Sequence, residues 1–124
     1  TSFRIYARNY ASPATRIDAG ARVTNSFVAE GCIVRGSVEH SVLYTGCEVE
    51  EGAIVTGAVV MPNTRVRKGA NISYAIVGEG CVIEEGVKIG ERPENYSNED
   101  WGITVVGHKQ TLPAGSVIKP KEIV

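Results

Sequence analysis

Three observations in the sequence predict an all-β fold in which one chain winds into a parallel β-helix of about five to six triangular coils. Aliphatic residues recur at Ile17, Val23, Val28 and Val34. From Leu43 through Val49, Val55, Val60, Val66, Ile72, Val77 and Ile83 to Ile89 they come in steps of six, six and five. A helical period would scatter these positions over every face, whereas two sixes and a five make a 17-residue coil with one short strand per side. Gly31, Gly46, Asn63 and Gly80 fall in register, as do Gly20, Gly52, Gly69 and Gly86. These residue types tolerate positive φ, as repeated corners require. Finally, aromatics are only 6% of a chain that is 43% hydrophobic, so Val and Ile do the filling, which suits many thin layers.

Taken in order, residues 1–16, with Arg4, Arg8 and the Ser12-Pro13 turn, precede the first aliphatic step and read as a connector. The solenoid is expected over residues 17–124. Segments 26–32, 41–47, 58–64 and 75–81 align, with Val28, Leu43, Val60 and Val77 at their centres, stacked inward. Those centres lie 15, 17 and 17 residues apart, so the coil holding Val38 and His40 has one shortened side. Phe27, Val42, Val59 and Ile76, one position earlier, point away from the axis by strand alternation and form an apolar outer column. Residues 90–102 form a polar insertion, expected as a loop on one face, and the period resumes at Val106, Leu112 and Ile118. Lys119-Pro120-Lys121-Glu122 is expected to make a charged, blunt end to the last coil.

Composition bounds the function. The 124 residues suffice for one domain of ordinary size. A formal net charge of −1 supplies no basic field for nucleic acid or an anionic membrane, so neither is an expected partner. No apolar run approaches the roughly 20 residues of a membrane span, and the N-terminus lacks a signal-peptide pattern. Three cysteines, an odd number, argue against a disulfide framework and suit a reducing compartment, so a cytoplasmic location is expected.

The chemistry-bearing residues yield no catalytic constellation. Cys32, Cys47 and Cys81 share one column with Thr64 in the skipped layer, which a column of small corner residues explains. Zinc needs four converging ligands, and Cys81 sits two layers beyond Cys47, roughly 9–10 Å away at strand spacing. No metal site is expected. His40 and His108 are the two histidines. Some β-helices of this period are acyltransferases with a catalytic His, so a stand-alone acyltransferase using His40 is the alternative to an exposed, hydrogen-bonded corner residue. Gly78-Glu79-Gly80 lacks the third glycine of a dinucleotide loop, and no Gly-Lys-Ser/Thr phosphate loop occurs. Asn71-Ile72-Ser73 and Asn95-Tyr96-Ser97 fit the glycosylation triplet by chance, and Glu50-Glu51 and Glu84-Glu85 read as solvated corners.

With the coils laid out, the whole chain resembles the C-terminal domain of the glucose-1-phosphate adenylyltransferases. The resemblance runs through Ile5-Tyr6-Ala7-Arg8-Asn9-Tyr10, through Asn25–Cys32 and Gly36–Leu43, and through Val59-Val60-Met61-Pro62-Asn63-Thr64. It ends with Trp101–Val106 followed by Leu112-Pro113-Ala114-Gly115. The resemblance implies a left-handed β-helix that follows a missing N-terminal catalytic domain, with residues 1–16 as the connector. It implies an enzyme making ADP-glucose and pyrophosphate from ATP and glucose 1-phosphate, with magnesium bound outside this stretch. The stretch itself is then non-catalytic and carries no cofactor. Its implied partners are its own catalytic domain, further subunits in a homotetramer or a regulatory paralogue, and a phosphorylated effector. Relatives place a basic residue of the effector site just before the final Leu-Pro-x-Gly coil. That points to Lys109 or His108, with Lys109 favoured because an ammonium stays charged at neutral pH. Lys88 and Arg92, at the start of the insertion, add charge to that site if the loop folds back toward residue 108.

Overall fold

The structure, a computed structural model, describes residues 10–11, 15–95, 99 and 101–124. Arg4, Arg8, the Ser12-Pro13 turn, the Ile5–Asn9 stretch and most of the Asn95-Tyr96-Ser97 triplet lie outside the described residues. Every strand is short and parallel to its neighbours, and the strands fall into three six-stranded sheets, so the chain makes six coils. Sheet A holds Tyr10–Ala11, Phe27–Val28, Val42–Leu43, Val59–Val60, Ala75–Val77 and Thr104–Val106. Sheet B holds Arg16–Ile17, Ile33–Val34, Glu48–Val49, Arg65–Val66, Val82–Ile83 and Thr111–Leu112. Sheet C holds Arg22–Thr24, Ser37–Glu39, Ile54–Thr56, Asn71–Ser73, Lys88–Ile89 and Val117–Ile118. The chain visits A, B and C in turn, then steps to the next coil.

Register follows the aliphatic period. Val28, Leu43, Val60 and Val77 pair in sequence on sheet A, Val34, Val49, Val66 and Ile83 on sheet B, and Val38, Val55, Ile72 and Ile89 on sheet C. All twelve are at most 1% exposed and form one continuous core, with Ile17, Val23 and Ile118 half-buried at its ends.

The corners show why the chain can turn three times per coil. Gly31, Gly46, Asn63, Gly80 and Lys109 have positive φ at the A-to-B corner, and Gly52, Gly69, Gly86 and Gly115 at the B-to-C corner, whereas Gly20, expected in that second row, does not. A third row, Asn25, His40, Gly57 and Tyr74, has φ between 49 and 60 at the C-to-A corner. That row escaped the sequence pattern because two of its members are large side chains, for which the conformation is costly. The shortened side lies between Val34 and Val38, where Gly36 lets the backbone close up. A Cβ there would collide with the carbonyl oxygen of Ala53 in the next coil.

Two boundaries differ from expectation. The solenoid begins before residue 17: Tyr10–Ala11 pairs with Phe27–Val28, one 17-residue period earlier, so part of the expected connector is the first strand of sheet A. The far end is not blunt. Lys121, at φ 73, turns the tail back along sheet A, where the Val105 amide donates to Glu122 (2.9 Å) and the Val124 amide donates to Val105 (2.9 Å). Ile123 thereby bridges Val105, while sheets B and C end at their sixth strands.

The insertion sits where expected. Ala75 pairs with Thr104, a separation of 29 residues where 17 would complete a coil, so twelve extra residues leave and re-enter without disturbing the stack. They include a 3-10 turn, Pro93–Asn95. Because Val60 lies between Leu43 and Val77 with no exposure, Val60→Asp buries an unpaired carboxylate. It is expected to cost several kcal/mol, at least ~3, and to lower the melting temperature by at least ~10 °C. A melting scan placing the variant within about two degrees of the parent would refute the inward assignment.

Candidate functional site

The three faces of the prism differ chemically. Sheet A carries outward the column Phe27, Val42, Val59, Ile76 and Val105, and the tail adds Ile123. Phe27 and Ile76 are each 42% exposed and Ile123 is 78% exposed, so the expected apolar outer column exists and is longer than the sequence suggested. Sheet C carries polar groups outward: Arg22, Ser37, Asn71 and Lys88 in one column, interrupted by Ile54, with Thr24, Glu39 and Ser73 in the other, where Thr56 is buried between Glu39 and Ser73. Along the B-to-C corner runs a column of alternating charge, Asp18, Arg35, Glu50, Arg67 and Glu84. Arg35 binds Asp18 at 3.0 Å and Arg67 binds Glu50 at 3.1 Å and Glu84 at 3.9 Å. Glu50 and Glu84, expected to be merely solvated, are thus ion-paired, because coil-length spacing stacks them against Arg67.

The cysteine column is a ladder. Cys32 donates its thiol proton to the Tyr44 carbonyl (3.1 Å), Cys47 to Met61 (3.1 Å) and Cys81 to Gly107 (3.0 Å). Thr64 fills the skipped layer with a 2.7 Å hydroxyl bond to Gly78. Each side chain therefore satisfies the equivalent carbonyl one coil away, and all three thiols are buried. The neighbouring Cys32 thiol and burial push Cys47 above the ordinary thiol value of 9.0, and burial pushes Cys81 up. Among the described residues no group of three or more His, Cys, Asp or Glu is placed to hold a metal ion.

The four expected effector residues do not converge. Lys109 stands exposed at the A-to-B corner of the last coil, its amide donating to the Glu79 carbonyl at 2.7 Å. Its φ of 56 occupies a row that Gly or Asn fills in the other described coils, a conformation that costs a lysine on the order of 1–2 kcal/mol. Beside it, His108 accepts the Glu79 amide proton at Nδ1 (2.8 Å), an arrangement that requires that nitrogen unprotonated. Lys88 lies on sheet C, the face opposite that corner, 3.9 Å from Glu91. Arg92 reaches the C-to-A corner, 3.7 Å from Glu39 and with its guanidinium 5.9 Å from the centre of the Tyr74 ring. The loop base thus folds back toward Tyr74 and Glu39 and not toward residue 108. His40 is a corner residue whose Nε2 lies 3.3 Å from Asn25 Nδ2.

Tyr74 went unnoticed in the sequence, and Trp101 figured there only as the start of a resembling segment, although the two fasten the insertion. Trp101 packs edge-on against Tyr74 with ring centres 5.8 Å apart, and its Nε1 donates to the Glu91 carbonyl at 2.6 Å. Lys121 Nζ donates to the Glu99 carbonyl at 2.6 Å, tying the same loop to the tail. The only advance signal was an aromatic at a position that coil spacing aligns with Gly57.

A triangular solenoid of three parallel sheets, with an aliphatic inward residue every five or six positions, defines a hexapeptide-repeat protein. The chain belongs to the family described as GlmU-like, C-terminal hexapeptide, which matches residues 13–107. Among proteins it is similar to the glucose-1-phosphate adenylyltransferase of Clostridium perfringens, at 45% identity over all of this chain and 29% of that protein. The Bacillus cereus enzyme of the same name is 47% identical over 98% of the chain and 25% of its own length. That of Acetivibrio thermocellus is 36% identical over 99% and 30% respectively. The chain thus spans between a quarter and three-tenths of the length of these relatives and matches their C-terminal part. Among solved structures, the acetyltransferase domain of PglB from Neisseria gonorrhoeae shares the fold, with a TM-score of 0.54 at 24% identity over 89% of this chain and 48% of that one. No helix among the described residues is long and apolar enough to cross a membrane.

Two thiols of the ladder, Cys47 and Cys81, make stability fall in alkali above pH 9.0. Cys32, lowered to about 7 by its hydrogen bond with Cys47, adds stability as pH rises from there to 9.0 and nothing further above it. Cys47 and Cys81 titrate above 9.0 when folded, so their contribution is complete below that pH and is lost as pH rises above it, where the unfolded chain ionises first. Urea unfolding from pH 8 to 10.5 is expected to show this loss, and Cys47→Ala with Cys81→Ala to flatten the slope. An equal slope in both proteins would remove the thiols as its cause.

Proposed function

We propose that this chain is the C-terminal regulatory and oligomerisation domain of a glucose-1-phosphate adenylyltransferase, a cytoplasmic enzyme of glycogen synthesis. The observation that carries the reading is the 45–47% identity over at least 98% of the chain to the C-terminal part of relatives bearing that name. On this reading the domain is non-catalytic. An N-terminal domain binds ATP, glucose 1-phosphate and magnesium and transfers the adenylyl group. The β-helix supplies contacts, to its own catalytic domain and to the other subunits of a homotetramer or to a paralogous subunit, and it receives a phosphorylated effector.

The sheet A face supports the contact role. An unbroken apolar column is a poor permanent solvent surface and a good interface core. Phe27→Glu combined with Val59→Glu changes only outward positions, so the coil stack is expected to survive while packing of the longer polypeptide weakens. Light scattering and melting of that polypeptide would read this as dissociation or a lowered melting temperature. Unchanged mass together with unchanged melting would reject the face.

Lys109 is the residue we assign to the effector. Its positive φ, at a position that suits Gly or Asn, is a local conflict of the kind that persists where function holds it. His108 is the lesser ligand, because its Nδ1 is committed to the Glu79 amide. In the longer polypeptide, Lys109→Ala is expected to raise the half-activating concentration of a phosphorylated activator at least ~5-fold, a difference of ~1 kcal/mol, without changing the rate in its absence. Titration with fructose 1,6-bisphosphate, 3-phosphoglycerate and AMP measures it. An active effector whose half-activating concentration stays put in the variant would exclude Lys109 from the site.

A further inference from the structure

Sheet B presents a side of the prism that neither the apolar contact face nor Lys109 uses. Its outward column runs Arg16, Ile33, Glu48, Arg65, Val82 and Thr111, in register from the first coil to the sixth. Each of these side chains is exposed or half-buried. The charged corner runs beside it, with Arg35, Glu50, Arg67 and Glu84 two residues further along the same coils. The third coil therefore carries two glutamates across this face and the fourth carries two arginines. Arg67 is already paired with Glu50 at 3.1 Å and with Glu84 at 3.9 Å. Glu48 and Arg65 lie one coil apart, yet neither makes an ion pair among the described residues.

The order of these residues is its own complement. A two-fold axis lying along the strands, between the third and fourth coils, brings a second copy face to face with its stack reversed. The third coil then opposes the fourth, and the second opposes the fifth. Glu48 meets Arg65 of the second copy, and Arg65 meets its Glu48. In the same way Glu50 meets Arg67 and Arg35 meets Glu84, while Ile33 meets Val82 on either side of the central charges. A shift of one coil would set Glu48 on Glu48 or Arg65 on Arg65. Stacks running parallel about a two-fold axis would set Glu48 on Glu50 and Arg65 on Arg67. Both alternatives oppose like charges, so the pattern selects one arrangement.

We propose that sheet B docks a second copy of this chain in this antiparallel, two-fold arrangement, with the Glu48–Arg65 pairs at its centre. The interface is isologous, so each cross-pair forms twice. Its extent sets its strength. Six coils at about 4.8 Å and a side of about five residues give roughly 400 Å² per copy, about half of what a standard interface covers. Sheet B alone therefore holds two copies weakly and reversibly, and its ion pairs supply orientation more than affinity. The pairing adds a second face to the contact role given above. It uses neither Phe27 nor Val59, so it stands or falls separately from that pair of substitutions.

The chain is followed by sedimentation and by backbone amide shifts from about 10 µM to about 1 mM at low ionic strength. The expected result is reversible dimerisation with half-association between about 0.1 and about 1 mM, and shifts centred on 33–35, 48–50, 65–67 and 82–84. Salt at about 0.5 M should weaken it at least ~3-fold. Glu48→Arg and Arg65→Glu should each weaken self-association at least ~5-fold in a folded chain, because each sets like charges at the centre. An equimolar mixture of the two variants should dimerise as well as the parent, since every substituted position then faces its opposite charge on the other chain. A chain carrying both substitutions should do the same. Absence of concentration-dependent shifts on sheet B at about 1 mM would overturn the proposal, as would a mixture that associates no better than its components. Shifts confined to sheet A would assign the association to the apolar face and overturn the sheet B dimer. Should either variant fail to fold, the shift map and salt response of the parent decide.

Discussion

The hydrogen bonds that run from each coil to the next, main chain to main chain in a fixed parallel register, govern the rest of this molecule. Arg16 donates to Cys32, Ile33 to Cys47, Glu48 to Thr64 and Arg65 to Cys81, each within 2.9–3.0 Å. Keeping that ladder unbroken demands coils of equal length, corners at equal heights and side chains small enough to let corners stack. Hence Ala53 and Ala70 fill one corner and Ser26, Ser41, Ala58 and Ala75 another, all buried. Where a corner carbonyl points inward, a thiol or hydroxyl of the cysteine column meets it. Where the coil is two residues short, a glycine absorbs the difference.

Because the ladder is periodic, it was legible in the sequence. Sixteen inward aliphatic positions from Ile17 to Ile118, the two glycine rows and the insertion could be read from spacing alone. What stayed hidden had no periodic mark. His40 and Tyr74 look nothing like the glycine they replace, so the third corner row was invisible. The tail strand broke the pattern because it pairs with sheet A alone. Tyr10–Ala11 lay one period ahead of a strand already recognised, but its neighbours gave no second aliphatic step to confirm it.

The site residues were less legible for a geometric reason. Periodicity assigns a residue to a face only while the chain stays in the coil, and Arg92 lies in the insertion, after that assignment lapses. Lys88 could have been placed, since the spacing puts it on sheet C, opposite the corner that Lys109 occupies. Lys109 and His108 are sequence neighbours with different fates: one projects a free ammonium, the other spends its Nδ1 on a backbone amide. Chemical variety in this fold is therefore carried on the outside of the prism, as one apolar face, one polar face and one charged corner, while the inside repeats.

The charged corner sets an arithmetic on how such a chain can change length. Asp18, Arg35, Glu50, Arg67 and Glu84 alternate in sign from coil to coil, while the aliphatic interior is the same in every layer. The core would accept removal of any one coil, closing Leu43 onto Val77 as readily as onto Val60. The corner would not, since losing one layer sets like charges a strand spacing apart and losing two restores the alternation. A lineage that lengthens or shortens this solenoid through its middle is thereby biased to do so by even numbers of coils.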